Sequence, residues 1–200
     1  MERKKEDRRT QYSKMVIRDT LFELMREKPI NKITVKELCE RADVNRSTFY
    51  AYYTDIYDLN KKILKEIFIL QREFINKCNA ILAESPDITN LGLDEYYKIA
   101  YAYLSIVKKN QAIYKFIFYD QANSPVQISY DKVFYSSINK MLPEIYKEPF
   151  RRAFSFVSGG TTAFFVRWLL NNCSEDIEDM AKSLSYYYNG VFNGHKMRRI

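Results

Sequence analysis

Five glycines and five prolines in 200 residues leave this chain few places to break its backbone, and that limits its fold more than any other feature. Glycine and proline are the strongest local punctuators of regular structure, so a chain with few of them runs in long helices. The apolar residues agree. Between residues 10 and 28 they fall at Val16, Ile17, Leu21, Leu24 and Met25, the three-and-four spacing of one helix face, and Pro29 follows where that helix should stop. The spacing recurs at Ile56, Leu59, Ile63, Leu64, Ile67 and Phe68, in a helix running to about Ala83. No strand-like alternation persists. The expected fold is all-α, with about nine helices near 10–28, 35–42, 46–52, 56–83, 92–109, 111–121, 126–146, 149–172 and 175–190. Breaks are expected at Glu84-Ser-Pro-Asp-Ile-Thr-Asn, Lys109-Asn110, Ser124-Pro125 and Glu148-Pro149, and Ser174-Glu-Asp is expected to cap the last helix.

Charge and cysteine content narrow the class of protein. The net charge is +7, and residues 1–65 hold 16 Lys/Arg against 11 Asp/Glu, whereas residues 66–200 hold 16 against 14. A basic excess gathered in the first third of the chain suits a polyanionic partner there. Cys39, Cys78 and Cys173 are odd in number and widely spaced, which favours reduced thiols in a cytoplasmic protein over a disulfide or zinc framework. Met-Glu-Arg-Lys-Lys-Glu-Asp-Arg-Arg has no apolar stretch behind it, and no apolar run approaches ~18 residues, so neither a signal peptide nor a membrane span is expected. The compositional outlier is an aromatic share of 16%, with 17 Tyr and 13 Phe. Most such rings pack cores, and some can line a cavity.

Residues 33–59 carry the most specific motif. Thr34-Val-Lys-Glu37 has the spacing of a capping box, in which side chains at both positions satisfy the exposed backbone donors of a helix start. Val35, Leu38 and Ala42 form that helix's inward face, Asp43-Val44-Asn45 makes a turn, and Asn45 is a good N-cap for the next short helix. Two short helices around a tight turn read as a helix-turn-helix, whose second helix enters the DNA major groove by its N-terminus. The residues at the base edges would be Asn45, Arg46, Ser47 and Thr48, with Arg46 able to fork onto guanine. Phe49 would anchor the helix inward. Tyr50, Tyr52, Tyr53 and Thr54 would offer hydroxyls to phosphates, as would Thr34 and Lys36 at the start of the preceding helix.

This stretch resembles the TetR (tetracycline repressor-like) family of bacterial regulators. Thr34-Val35, Ala42, Val44, Thr48-Phe49-Tyr50 and Leu59 match the family's pattern. Asp43 stands for Gly, Asn45 for Ser, Ser47 for Gly, Tyr52 for His, Tyr53 for Phe and Ile56 for a phosphate-contacting Lys, whose role Lys61 or Lys62 would have to take. The resemblance implies a helix-turn-helix domain over residues 1–56 and a helical effector-binding and dimerisation domain over 57–200. It also implies that the last two long helices form a four-helix bundle with a second copy. The sequence agrees: residues 154–170 are apolar on nearly all sides, with Gly159 and Gly160 permitting close backbone approach or a kink. The expected seam is Phe164, Phe165, Trp168, Ile177, Met180, Leu184 and Tyr188. In the family the middle helices enclose an effector site, for which Tyr97, Tyr101, Tyr114, Phe118 and Tyr119 are candidates as a group.

No nucleophile elbow, glycine-rich phosphate loop or metal-spaced cluster appears, and His195, the sole histidine, sits in a polar tail. The chain is therefore read as a DNA-binding regulator and not an enzyme. It needs no cofactor, and its partners are double-stranded DNA, a second copy and an unidentified small molecule, with no membrane. Two other readings stand beside it: a DNA-binding regulator without a small-molecule effector, activating or constitutive and controlled by a protein partner, and a helical enzyme or carrier using an aromatic pocket.

Overall fold

The structure is a computed structural model, and the described residues are 8–85, 91–120 and 150–194, with positions 132 and 136 between them. Among these there are eight α-helices and no strand: α1 Arg8–Glu27, α2 Val35–Arg41, α3 Arg46–Tyr50, α4 Ile56–Glu84, α5 Leu93–Lys109, α6 Gln111–Lys115, α7 Phe150–Leu170 and α8 Ile177–Gly194. A 3-10 turn at Ile30–Lys32 follows Pro29, and α6 runs on into a π-helical turn, Phe116–Asp120. The helix expected near 126–146 falls almost wholly outside the described residues, as does His195. The chain divides into two compact units, Met1–Ile67 and Phe68–Ile200, so the division falls inside α4.

In the first unit the apolar stripe of α1 closes over the two short helices. Ile17, Leu21 and Leu24 on α1, Leu38 on α2, Phe49 on α3 and Leu59 on α4 are fully buried. Ion pairs at the rim set the helices against one another: Lys28 with Glu37, Arg41 with Glu27, and Arg18 with Glu66 at 3.8 Å. Glu37 thereby departs from the expected capping box. Its backbone N–H donates to Thr34 Oγ1 at 3.2 Å, but its carboxylate turns to the Lys28 ammonium. At the other end of α2, Asp43 takes a left-handed conformation (φ 50°) and the Val44 N–H reaches back to the Cys39 carbonyl at 3.0 Å. That six-residue closure is a Schellman ending, which favours glycine at the left-handed position.

In the second unit α5 packs along α8, and α7 packs on α8 and α6. One end is held by Leu82, Leu91, Tyr96, Ala153 and Phe192, where Tyr96 and Phe192 stack at 5.9 Å and Asn193 Nδ2 donates to the Leu91 carbonyl at 3.1 Å. At the other end Trp168, 1% exposed, donates its indole N–H to the Glu175 carbonyl at 3.1 Å. Helix α7 stops there in a second Schellman closure, Cys173 N–H to Trp168 O at 2.9 Å, with Asn172 and Cys173 both left-handed. The cap of α8 is Asp176 and not Ser174. Its Oδ1 accepts from the Glu178 and Asp179 N–H groups at 2.8 and 3.2 Å, a reach open to a carboxylate at that position.

All three cysteines are free and buried, and burial raises each thiol above its ordinary value, Cys78 to about 12. Arg152–Leu170 has a mean hydropathy of 1.2, enough in length and composition to cross a membrane, yet only 22% of it is buried in the subunit. Asp43→Gly is expected to stabilise the first unit by about 1 kcal/mol, because a left-handed backbone costs an L-residue that order of energy and glycine almost nothing. Chemical denaturation with a probe in residues 8–67 measures this, and a lower midpoint would contradict the reading of the turn.

Candidate nucleic-acid interface

The polar N-terminus of α3 stands clear of its own subunit. Asn45, Arg46 and Ser47 are exposed, Thr48 is half-buried, and Asn45 occupies the N-cap without spending its side chain on a capping bond. Their presentation depends on Phe49, which is fully buried and carries Tyr50 edge-on at 5.5 Å and Tyr53 at 5.4 Å. Helix α3 therefore shows donors at its start and aromatic rings beneath. That is the arrangement an element needs to put polar side chains on base edges while resting on a core. Thr34 and Lys36 are exposed at the start of α2, with Lys36 4.0 Å from Glu40.

The four residues expected to meet phosphates separate. Tyr50 is 56% exposed and Thr54 is exposed. Tyr52 is half-buried, its hydroxyl 3.4 Å from Thr10 Oγ1 and its ring under the Lys14 ammonium at 5.0 Å, so it is tied to the start of α1. Tyr53 corrects its assignment. At 8% exposed, packed on Phe49 and 6.2 Å from the Tyr52 ring, it is a core residue.

The junction between α3 and α4 holds a network that the sequence did not disclose. Lys62 Nζ donates to the Tyr52 carbonyl at 2.7 Å and to Asp58 Oδ2 at 2.9 Å, and lies 5.2 Å from the Tyr53 ring centroid. The same Asp58 Oδ2 accepts from the Thr54 N–H at 3.1 Å, while Asp55 caps α4 by accepting from the Asp58 N–H at 2.7 Å. The Lys62 ammonium and the Thr54 N–H hold the Asp58 carboxyl below its ordinary value. Ile56 is 4% exposed, so the position where a phosphate-contacting lysine was missing is a core position here.

The body residues are placed less simply. Tyr114, Phe118, Tyr103, Phe74 and Phe165 form one aromatic cluster, with Tyr114 and Phe118 stacked and Tyr103 edge-on to Phe74, Tyr114 and Phe165 at 5.0, 6.2 and 5.4 Å. Tyr97 and Tyr101 pair with each other at 5.9 Å on another stretch of α5, where Tyr97 lies among the charges of Asp176, Glu178 and Lys182. The side chain of Tyr119 is outside the described residues. Tyr114 and Phe118 thus belong to one ring cluster, and Tyr97 and Tyr101 form a pair of their own. Tyr103, the hub, was missed because a half-buried tyrosine in a helix has no distinguishing sequence signal.

Of the expected seam, Phe165, Trp168, Met180 and Leu184 are buried inside the single chain. Phe164 and Ile177 are half-buried, and Tyr188 joins Thr161 through a 3.0 Å hydroxyl bond in surroundings that push its own hydroxyl to about 12. The open face of α7 and α8 brings Phe164, Leu184 and Tyr188 of that set together with residues outside it. An apolar groove of about 520 Å³ is lined by Phe156, Gly160, Phe164, Tyr187 and Gly190 among others, with Phe156 and Tyr187 74% and 59% exposed.

Comparison with known proteins follows the same division. Residues 17–62 match the family model for bacterial regulatory proteins of the tetR family, and residues 94–190 match that for a transcriptional regulator C-terminal region. The chain belongs to the TetR family.

A search of curated proteins finds no match. Among solved structures, TetR-like folds recur. The fatty acid degradation regulator FadR from Bacillus halodurans superposes with a TM-score of 0.58 at 14% identity, covering 90% of this chain and 98% of that one. FadR from Bacillus subtilis, in complex with stearoyl-CoA, gives 0.57 at 16% identity over 90% and 98%. The TetR regulator PfmR from Thermus thermophilus gives 0.53 at 10% identity over 88% and 97%. At these identities the likeness is one of fold. As a TetR-family regulator the chain binds DNA through its helix-turn-helix. Among the described residues, no group of three or more His, Cys, Asp or Glu could hold a metal ion.

Two outcomes are expected. Arg46→Ala weakens binding chiefly at one base position, by about 1–3 kcal/mol, whereas Lys36→Ala weakens all sequences alike and flattens the salt dependence by about one unit. Binding to a library of operator variants at several salt concentrations separates the two, and an unchanged sequence preference in Arg46→Ala would overturn the assignment. The second concerns pH. A carboxylate whose folded value is lowered stabilises the fold above its unfolded value, near 4, and that stability is lost as pH falls through the folded value. Melting of the protein should therefore show a component below about pH 4 that Asp58→Asn removes.

Proposed function

We propose that this chain is a homodimeric repressor that reads a palindromic operator through Asn45, Arg46, Ser47 and Thr48 and loosens its grip when a small organic molecule binds the body. Thr34, Lys36, Tyr50 and Thr54 are its phosphate contacts, and it works in the cytoplasm on double-stranded DNA. The observation that carries the reading is the exposed, donor-rich start of α3 seated on a buried Phe49.

Dimerisation is supported by surface left bare. Helix α7 is apolar enough to span a membrane but mostly unburied, and its open face adjoins an apolar groove of about 520 Å³. Among the described residues, a Cβ added at Gly159, Gly160 or Gly190 would meet nothing within 4 Å, so their smallness answers no packing need there. Small residues on a bare apolar face suit a symmetric copy, since a two-fold seam brings the same surface to itself. The seam residues are then Phe156, Gly160, Phe164 and Tyr187, with Phe165, Trp168, Met180 and Leu184 supporting them from within.

Control by ligand is supported by the aromatic cluster around Tyr103 and by the stearoyl-CoA complex of a similar fold. A ligand bound better by one arrangement of the dimer shifts the population toward it, with couplings of about 1–3 kcal/mol. The second reading, a regulator without an effector, is favoured by the close ring-on-ring packing of that cluster.

Selection of genomic fragments at fixed salt, followed by anisotropy titration of the selected duplex with long-chain acyl-CoA added, tests the whole proposal. Repression of a reporter from the selected site, relieved by ligand, is the expected result. Activation, or affinity that no acyl-CoA or aromatic acid alters, would move the assignment to the second reading. For the seam, Tyr187→Asp should give monomers by sedimentation and lower operator affinity more than tenfold. Leu184→Asp is unsuitable because that side chain is 2% exposed within the subunit. A Tyr187→Asp protein that stays dimeric would refute this face.

A further inference from the structure

We propose that Lys62 is a positioning residue for the reading helix: it fixes the C-terminal end of α3 and so sets how Arg46, Ser47 and Thr48 are presented, without touching DNA itself. The inference rests on the assignment of α3 as the reader. A helix of five residues makes almost no internal ladder, and the Phe49 carbonyl at its end is met by the Tyr52 and Tyr53 N–H groups of the turn that follows, which leaves the carbonyls of that turn to find partners elsewhere. A cation is the favourable group to meet them. Lys62 supplies it from the second turn of α4, with its Nζ 2.7 Å from the Tyr52 carbonyl.

Three further observations make the contact directional. Asp58 Oδ2, 2.9 Å from Nζ, holds the ammonium from one side, and the Tyr53 ring lies 5.2 Å away on another. Asp58 in turn is held by the Thr54 N–H at 3.1 Å, so the backbone on both sides of Tyr53 is tied to one carboxylate–ammonium pair. Finally, Ile56, buried at the position of the family's lysine, draws the start of α4 into the core, which brings Lys62 one helical turn beyond Asp58 to the carbonyl. An ammonium offers three donors, and two of them are committed inward. Lys61 stands exposed beside it.

The Lys62 side chain is 52% exposed and Asp58 24%. Exposed ion pairs add little to stability, so Lys62→Met keeps its fold. What it loses is the fraction of molecules whose reading helix is correctly seated, and apparent affinity falls in proportion to that fraction.

The test measures binding of the wild type, Lys62→Met, Lys62→Arg, Asp58→Asn and the Lys62→Met/Asp58→Asn double variant. Each is titrated against the selected operator and a random duplex of equal length, by anisotropy over about 50–200 mM salt. Lys62→Met should bind the operator about three- to tenfold more weakly, with random-duplex affinity and salt slope unchanged. Asp58→Asn should move the same way, and the double variant should lose no more than Lys62→Met alone, as expected of residues acting as one unit. Lys62→Arg should recover most of the loss. Equal weakening on both duplexes, with a salt slope reduced by about 0.9, would make Lys62 a phosphate contact and overturn the proposal. Unchanged operator affinity in Lys62→Met would overturn it too. If Lys62→Met failed to fold by circular dichroism, Lys62→Gln would take its place with the same outcomes. A wild type that cannot tell operator from random duplex would remove the reader assignment and this inference together, whereas a discriminating wild type isolates the role of Lys62.

Discussion

A helix of five residues is not stable in water on its own, because nucleation costs more than so few hydrogen bonds return. Helix α3, Arg46–Tyr50, is such a helix, and every functional statement about this protein depends on what holds it. Phe49 is the main restraint: fully buried, it stabilises the unit by about 3–5 kcal/mol relative to a truncated side chain. The remaining restraints act on direction. The Schellman turn at Asp43 fixes entry, the Tyr52–Thr10 hydroxyl pair ties the exit to α1, and Lys62 ties it to α4. Base readout requires side chains held within tenths of an ångström, which one hydrophobic plug cannot ensure because a ring in a pocket can still rotate. Polar bonds at both ends remove that freedom.

This explains a division of labour among tyrosines that the composition alone obscures. Tyr50 faces solvent, Tyr52 spends its hydroxyl on Thr10, and Tyr53 lies in the core beneath a lysine. Consecutive positions in a short helix and the loop after it point in different directions, so adjacent identical residues have different chemistry. The same applies in the second unit. There Tyr96 stacks on Phe192, Tyr97 meets the charged start of α8, and Tyr103 joins three rings.

What could be read in the sequence was what repeats or what is local. Helix positions followed from three-and-four spacing, the helix-turn-helix from an N-cap and turn chemistry, and the cap at Thr34 from residue type alone. What could not be read was set by partners distant in sequence. Glu37 left its capping box for Lys28, nine residues away, and nothing local to Glu37 announces it. Asp176 displaced Ser174 as the cap of α8 because the turn that closes α7 runs on through Ser174, whose N–H donates to the Asn171 carbonyl, and α8 begins only at Ile177. Tyr97 and Tyr114, two of the candidates for an effector site, lie on different helices with a break at Asn110 between them.

Helix α7 shows how one sequence property can support opposite structural readings. Its 19-residue stretch from Arg152 is long and apolar enough to cross a membrane by length and composition only, a test that a core helix also passes. The polar groups it carries argue for a protein partner instead. Thr161 bonds the Tyr188 hydroxyl across to α8, the Trp168 indole N–H is spent on a backbone carbonyl, and Thr162 returns its hydroxyl to the Ser158 carbonyl. Gly159 and Gly160 leave open space beside the backbone, and a helix crossing its own copy gains close backbone approach there. The apolar excess, the glycines at 159 and 160 and the exposed Phe156 lie on one helix whose other face is already packed by Phe165, Trp168 and Leu169. An amphipathic helix has one apolar face because it has one core to meet. Helix α7 has apolar surface left over after its own core is filled, and in the proposed dimer the second copy covers that surplus.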